Sequence, residues 1–335
     1  MSFQDLQDGQ VDPLLDTDGL EESTHQWSQR EIDALTLAQA ARRPLLLRGE
    51  PGTGKTQLAR AAALHLGWQL LSETIHPRFE ASDLVYRHDA VRRLADAQAR
   101  KPLKDAEYWH PGALWQAYDW VSAVTFGHCR GKAQAAGHVI LIDEIDKADS
   151  DLPNSLLEVL GQRRLSIPPL NLVLGERVTT PPLILITTNE ERELPPAFVR
   201  RCVVLNLDPD PDLLYQDWLV QRGQAHFGVR VGRTRALLGA PVLLAAAEQL
   251  VADRQAAVDA GLPQPGPAEY LDLLRAIHEL APHKPAAQRD WLRKLNAYAF
   301  VKNALQPGGA SPSQRRPVVT ALQPTGSAGK AASKA

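Results

Sequence analysis

The chain has 335 residues, of which 44% are apolar and 23% charged, and a formal net charge of −2. These values are typical of a globular protein of about two domains, and they exclude a global basic field for nucleic acid or an anionic membrane. No apolar run approaches the roughly 18 residues of a membrane span. Cys129 and Cys202 lack C-x-x-C spacing and are expected to be small buried hydrophobes, and there is no signal pattern, so we expect a cytoplasmic protein without disulfides. The ten histidines are scattered, which predicts no structural metal.

The N-terminal segment is acidic. Its first 22 residues carry seven carboxylates and no Lys or Arg. This composition predicts a solvated, mobile arm over residues 1–27, with docking of a partner as the alternative, and its removal is expected to leave folding intact. Ser28, with Glu31 three residues later, forms a capping-box pattern that predicts a helix to about Ala41.

The next part of the chain alternates short apolar strands with helices, over residues 28–208. Two of the strands, at 139–142 and 183–186, are apolar throughout, as strands buried on both faces should be. The pattern predicts an α/β domain with a doubly wound, parallel, five-stranded sheet. The predicted strands are 44–48, 69–74, 138–143, 182–188 and 203–207.

After residue 208 the pattern changes to helices separated by Gly and Pro. We expect four helices, at 211–226, 241–260, 267–281 and 286–304, and therefore a small all-helical domain over residues 209–305. Gly, Ser, Ala and Pro dominate residues 306–335, which predicts a disordered tail.

A glycine-rich loop follows the first predicted strand of the sheet. The stretch Gly49-Glu50-Pro51-Gly52-Thr53-Gly54-Lys55-Thr56 matches G-x-x-x-x-G-K-[ST], and a helix-forming segment follows it. Strand, loop and helix in this order predict a phosphate-binding loop, in which backbone N–H groups converge on phosphate oxygens. Lys55 would reach the β- and γ-phosphates and the Thr56 hydroxyl would bind Mg²⁺. The sequence therefore predicts a nucleotide-binding protein.

Two carboxylates follow a later buried strand. Asp143 and Glu144 end the apolar run that begins at His138. In a parallel sheet this end lies beside the phosphate-binding loop, so Asp143 is expected to hold Mg²⁺ through water and Glu144 to polarise the attacking water. For Asp146 and Lys147, just beyond, a local salt bridge is favoured over a catalytic role.

Polar residues also end the next strand and its following turn. Asn189 is expected to contact the γ-phosphate or the lytic water; the alternative is that it caps the turn. Arg200 and Arg201 follow a short predicted helix. The order of phosphate loop, Asp-Glu, polar strand end and Arg-Arg distinguishes this pair from arginines on an ordinary solvated surface.

In these segments the chain resembles the AAA+ ATPases, and within them the MoxR-like branch. The matching motifs are those at 43–56, 141–147, 187–189 and 194–201, and the likeness spans about residues 28–305. Residues 82–93 and 111–115 look like the insertion that this branch carries in its second helix. Residues 163–180 look like the β-hairpin that precedes the sensor strand.

The resemblance implies an AAA+ P-loop fold with a helical lid, ATP and Mg²⁺ as cofactors, and ATP hydrolysis. It also implies a ring, usually hexameric, in which Arg201 is the arginine finger that enters the neighbouring site, with Arg200 as the alternative. Such relatives act on a protein client in a chaperone-like way, usually with a partner that bears a von Willebrand factor A domain, and we expect a partner of that kind. The chain departs from the family at 265–272, where many relatives place a second-sensor arginine and no basic residue occurs. Arg275 is a possible substitute.

Other features leave alternatives open. The aromatic side chains of the insertion either grip a client or partner or pack against the core, and Arg163 and Arg164 either contact an acidic partner or are solvated. A nucleotide-gated switch in a bacterial conflict or signalling assembly is the alternative to a remodelling ATPase. A motor dependent on nucleic acid is less favoured, because no basic stripe with interleaved aromatics occurs.

Overall fold

The computed structural model describes residues 2–14, 22–126, 136–149, 151–161, 164–175, 180–209, 213–228 and 236–299. The chain divides into two compact units, Met1–Pro211 and Asp212–Ala335. The predicted tail, Cys129 and Arg163 lie outside the described residues.

Eleven strands, eleven α-helices and five short 3-10 helices occur in the described residues. The strands are β1 (Val11–Leu14), β2 (Ser23–Gln26), β3 (Leu45–Arg48), β4 (Gln69–Thr74), β5 (Tyr86–His88), β6 (Trp109–Pro111), β7 (His138–Asp143), β8 (Leu165–Ile167), β9 (Leu172–Leu174), β10 (Leu183–Thr187) and β11 (Val203–Asn206). The helices are α1 (Gln29–Ala41), α2 (Lys55–Leu66), α3 (Ala90–Gln98), α4 (Ala113–Tyr118), α5 (Trp120–Thr125), α6 (Leu152–Gly161), α7 (Pro196–Val199), α8 (Tyr215–Phe227), α9 (Ala240–Asp259), α10 (Pro267–Leu280) and α11 (Pro285–Ala299).

The first unit is built on a five-stranded sheet with the order β11-β3-β10-β7-β4. All four neighbouring pairs are parallel. The predicted doubly wound parallel sheet is therefore confirmed, and its strands are the five that the sequence indicates. Since the strands run in one direction, their carboxyl ends meet at one edge of the sheet, where polar groups from different strands come together.

Both faces of the sheet are covered, which explains the continuous apolar runs of its strands. Successive residues along a strand point to opposite faces. Leu45 and Leu47 of β3 belong to the core beneath α1 and α2, whereas Leu46 belongs to the core formed with α4, α6 and α7. The predicted capping box at the start of α1 is present, since Ser28 and Glu31 each accept a hydrogen bond from the other's backbone N–H.

The acidic N-terminal segment is not a mobile arm, so that prediction is wrong for its described residues. β1 and β2 pair as an antiparallel hairpin, and Phe3, Leu14 and Trp27 are buried in the core beside α1 and α2. Asp12 is used locally, because its carboxylate accepts a hydrogen bond of 2.8 Å from Trp27 Nε1. The prediction was based on the charged residues of the segment and did not consider its few apolar side chains, which hold it in the core. Residues 15–21 lie outside the described part.

The predicted insertion contains the β5–β6 hairpin, helix α3 and the short helices α4 and α5. Its aromatic side chains pack against the core, with Tyr108, Trp109 and Trp115 buried and Tyr86 and Tyr118 partly buried. Their burial favours the alternative in which these aromatic side chains pack against the core over the one in which they grip a client or partner. No side chain of α3 is buried.

Further along the chain, β8 and β9 form an antiparallel hairpin within the stretch predicted to contain one. Just before β11, burial raises the pKa of the Cys202 thiol to about 11, as expected of an inert cysteine.

The second unit contains helices α8 to α11 and no strand among residues 213–228 and 236–299. Its core includes Leu250, Tyr270 and Leu274. The buried Tyr270 hydroxyl donates a hydrogen bond of 3.0 Å to the Leu243 carbonyl oxygen. In neither unit does any described helix have the length and apolar character needed to cross a membrane.

The buried N-terminal segment makes a stability prediction. Phe3→Ala should lower the free energy of unfolding by about 3–5 kcal/mol, because it leaves a cavity where the ring is fully buried. Urea denaturation measures the change. The matched control is Val11→Ala on the same segment, where the side chain is 41% exposed and a change within about 0.5 kcal/mol is expected. Equal, small effects of the two substitutions would show that the segment is not part of the core.

Candidate functional site

The predicted site residues converge on the carboxyl edge of the sheet. The loop Gly49–Gly54 connects β3 to α2. Asp143 ends β7 and Glu144 follows it, and Asn189 lies just after β10. β10 lies between β3 and β7 in the sheet. The structure therefore brings together residues that the sequence separates by more than a hundred positions.

The loop adopts the backbone conformation that its glycines allow. Gly49, Gly52 and Gly54 have φ values of 140°, 83° and 101°, which other residues adopt only with strain. Gly54 caps α2 without any side-chain hydrogen bond. The N–H groups of the first turn of α2 therefore lack a side-chain cap, and together with the helix dipole they form an anion site.

The other loop residues close this turn. Thr53 Oγ1 donates a hydrogen bond of 2.9 Å to the carbonyl oxygen of Glu50, and Thr53 is buried. Pro51 fixes one φ angle between them. The loop is thus held in a curled form by its own contacts.

Lys55 is folded back onto the loop and is only 8% exposed. Its Nζ donates hydrogen bonds to the carbonyl oxygens of Gly49 and Glu50, at 2.6 and 3.0 Å. Burial lowers the pKa of the ammonium group, and nearby carboxylates oppose that shift. These are Asp143, Asp146, Asp208 and Glu144. An anionic phosphate would add to this opposing effect and would attract the ammonium from its two carbonyl partners.

Thr56 and Asp143 form a pair of oxygen donors beside Lys55. Thr56 Oγ1 donates to Asp143 Oδ2 at 3.3 Å. A hydroxyl and a carboxylate oxygen suit Mg²⁺, which is commonly held by one or two carboxylates together with substrate phosphates. Among the described residues there is no cluster of three His, Cys, Asp or Glu side chains that could hold a metal without such phosphates.

Thr187, to which the sequence analysis gave no separate role, links the Asp143 carboxylate to the backbone of Glu144. Thr187, the fully buried last residue of β10, donates its hydroxyl to Asp143 Oδ1. The same hydroxyl accepts a hydrogen bond of 2.8 Å from the backbone N–H of Glu144. The polar ending of an otherwise apolar strand is the sequence signal that pointed to it.

Glu144 lies in a left-handed backbone conformation, with φ 61°. Its Oε2 lies 2.6 Å from Lys147 Nζ, and the hydrogen bond to Glu144 raises the pKa of Lys147. The salt bridge expected for Lys147 is therefore present, and its partner is the carboxylate predicted to activate water. Lys147 therefore places a cation within hydrogen-bonding distance of that carboxylate.

Asn189 follows β10 at the same edge. Its backbone N–H donates to Asp146 Oδ2 at 3.1 Å. Its half-buried side chain makes no hydrogen bond to other described residues. The amide is therefore available for a ligand.

Arg200 and Arg201 follow α7, which the buried Phe198 anchors in the core. Both arginines are exposed. The Arg200 carbonyl oxygen accepts a hydrogen bond of 2.8 Å from Arg43, and Arg200 lines a cavity of about 520 Å³ together with Arg48 and Arg192. No ion pair joins either arginine to another described residue.

Arg275, the possible second-sensor substitute, lies on α10. Its Nη1 is 3.7 Å from Asp272 Oδ1 and its side chain is 52% exposed. The contact is a surface ion pair within the second unit, of a kind that contributes little to stability.

Comparison with known proteins agrees with this geometry. Residues 44–202 match the AAA domain of the dynein-related subfamily. This part of the chain is therefore similar to an AAA domain. Such domains generally bind nucleotide with Mg²⁺ and hydrolyse it. The match runs from the residue before β3 to the residue after Arg201. It includes the phosphate-binding loop, Asp143, Glu144, Asn189, Arg200 and Arg201, but not Arg275.

Solved structures give a weaker likeness. Two variants of RuvB from Thermotoga maritima have 14% and 15% sequence identity to this chain, each with a TM-score of 0.42. The alignments cover 81% and 80% of this chain and 69% and 68% of the RuvB chains. No curated protein matches the chain.

The role of Thr187 can be tested without any ligand. Thr187→Val keeps the shape of the side chain but leaves the Glu144 N–H and an Asp143 oxygen without their partner. We expect a loss of about 1–3 kcal/mol in the free energy of unfolding, measured by urea denaturation. Thr187→Ser, which keeps the hydroxyl, is the control and should lose less. A valine variant as stable as the serine variant would contradict the proposed bridge.

Proposed function

We propose that this chain is a Mg²⁺-dependent ATPase of the MoxR-like branch of AAA+ proteins. On this proposal the chain assembles into a hexameric ring. The ring remodels or activates a protein client together with a partner that bears a von Willebrand factor A domain. The observation that carries the ATPase assignment is the convergence of Lys55, Thr56, Asp143 and Glu144 at one sheet edge within an AAA domain.

Binding begins with the loop Gly49–Thr56. Its N–H groups and the start of α2 surround the β-phosphate, and Lys55 exchanges its two carbonyl partners for β- and γ-phosphate oxygens. Thr56, and Asp143 through water, would hold Mg²⁺, which would supply charge neutralisation at the phosphate oxygens. Since Thr187 already fixes one oxygen of Asp143, the carboxylate needs little reorganisation on binding.

Hydrolysis requires an oriented water molecule. Glu144 accepts a proton from that water while the water oxygen attacks the γ-phosphorus and the bond to the β-phosphate oxygen breaks. Lys147 holds the Glu144 carboxylate in place through a contact of 2.6 Å. Asn189 holds the γ-phosphate or the water through its side-chain amide.

The arginine that completes the site comes from a neighbouring subunit. Arg201 is our preferred finger because of its place in the family motif at 194–201, and its exposed side chain is compatible with that role. Arg200 is the alternative, and it shares its cavity with Arg48 and Arg192. This requirement for a second subunit supports the proposal of a ring.

The assignment to the MoxR-like branch, and with it the proposed partner, is supported by two smaller features. The insertion between β4 and β7 and the β8–β9 hairpin occur where MoxR-like proteins are expected to carry them. A client or partner surface on the insertion would use exposed side chains, such as Val91 and Leu94 of α3, rather than its buried aromatics.

The general-base role makes a kinetic prediction. Glu144→Gln should bind ATP with Mg²⁺ normally and turn over at least ~10²-fold more slowly, because an amide cannot take the proton. The matched control is Glu107→Gln, which changes another Glu paired with a Lys three residues away, at 3.2 Å. Steady-state ATPase assays and nucleotide titrations measure both properties. Hydrolysis at the parental rate in Glu144→Gln would assign the base elsewhere. A parent that binds ATP without turnover would favour the nucleotide-gated switch.

The finger makes a prediction about mixtures. Arg201→Ala should bind ATP and lose ~10³-fold or more in turnover, and Lys55→Ala should lose nucleotide binding. Mixing these two inactive chains should restore activity, because the Lys55 variant supplies the finger and the Arg201 variant the intact site.

The surface variant Arg289→Ala is the control and should hydrolyse ATP at the parental rate. If subunits complete one another's sites, the parent's activity per subunit should rise with protein concentration. Arg200→Ala decides the register: an inactive Arg200 variant with an active Arg201 variant would identify Arg200 as the finger. No rescue by mixing, together with activity independent of concentration, would contradict the ring.

A further inference from the structure

Asp146 is the most deeply buried carboxylate at the candidate site. It lies in the short turn Ile145–Lys147 that follows Glu144, and it is only 3% exposed. Burial of an ionised carboxylate is costly unless hydrogen bonds compensate for the lost water. The expected salt bridge does not supply that compensation, since Lys147 pairs with Glu144.

The compensation comes from the backbone after β10. Asp146 Oδ2 accepts hydrogen bonds from the N–H groups of Asn189 and Glu191, at 3.1 and 3.0 Å. Asp146 Oδ1 is buried and has no hydrogen-bond partner among the described residues. One carboxylate oxygen therefore carries both contacts to the loop.

The loop between these two N–H groups is in an unusual conformation. Glu190 has φ 60°, and its own N–H donates to Thr188 Oγ1 at 3.0 Å. A left-handed residue of this kind persists only where surrounding contacts fix it. Asp146 supplies two of these contacts, on either side of Glu190.

We propose that Asp146 is a positioning residue that fixes the side chain of Asn189 relative to Asp143 and Glu144. The segment after β7 and the segment after β10 follow neighbouring strands of the sheet. Thr187 joins the two segments where the strands end, and Asp146 joins them a few residues further on. The sensor amide and the general base are thereby held on one rigid element, which is the arrangement a site of fixed geometry requires. This inference rests on the proposed ATPase function for its kinetic part only.

Two substitutions separate the hydrogen bonds from the charge. Asp146→Asn and Asp146→Ala both remove the negative charge near Lys55, but the asparagine oxygen still accepts both N–H groups and its NH₂ replaces the unpartnered Oδ1.

Amide hydrogen exchange of the unliganded protein then reports the contacts directly. We expect exchange at Asn189 and Glu191 to be at least ~10-fold faster in the alanine variant and near parental in the asparagine variant. The exposed Asp149→Ala in the same segment is the control and should leave both amides unchanged. Parental exchange in Asp146→Ala would overturn the proposal.

A double-mutant cycle tests whether Asp146 acts through Asn189. Asp146→Ala should lower kcat by about 10- to 10²-fold in the parent and cause no further loss in an Asn189→Ala background. Asp146→Asn should retain near-parental kcat, which a role of the charge itself would not allow. Single-turnover kinetics keep the slow variants measurable. Losses that multiply in the double variant would show that Asp146 acts independently of Asn189 and would overturn the positioning role. A parent that hydrolyses no ATP would refute the proposed function, and the exchange result would still decide whether Asp146 holds the loop.

Discussion

The parallel alignment of five strands is the constraint on which the candidate site depends. Because β3, β7 and β10 run in the same direction, their carboxyl ends deliver Lys55, Asp143 and Thr187 to one edge. Parallel strands need both faces covered, and the chain meets this need with α1 and α2 on one face and α4, α6 and α7 on the other. The apolar core thus explains the site's location, although none of its residues takes part in chemistry.

Within that edge, hydrogen bonds link neighbouring strands in pairs. Thr187 on β10 contacts Asp143, the last residue of β7, and the next residue, Glu144. Asp146 in turn accepts a hydrogen bond from the backbone N–H of Asn189, which follows β10. Lys55 is held by carbonyl oxygens of its own loop. Lys55, Asp143, Glu144 and one oxygen of Asp146 therefore have partners before any ligand binds. Preorganisation of this kind lowers the reorganisation needed when charge develops in a transition state.

The N-terminal segment illustrates how composition and packing can point in different directions. Its carboxylates predicted a solvated arm, but burial of a few large side chains outweighs them. A buried Phe or Leu contributes about 1.5–3 kcal/mol, and Phe3 and Leu14 are both almost fully buried. Asp12 is compatible with this packing because its carboxylate accepts from Trp27. The segment thereby becomes part of the α1–α2 side of the core rather than an appendage to it.

The sequence by itself determined the five strands of the sheet, the helical second part, the phosphate-binding loop and the Asp143–Glu144 pair. These features are local: glycine spacing, continuous apolar runs and capping residues set the backbone over a few positions. Only the tertiary structure decided the burial of Phe3, the pairing of Glu144 with Lys147, the bridge made by Thr187 and the contacts of Asp146. The Thr187 and Asp146 contacts join residues more than forty positions apart. Even the Glu144–Lys147 pair depends on a left-handed turn beside that bridge. Side chains that satisfy one another across separate strands leave no periodic pattern in the sequence, because their distance is set by how the strands pack.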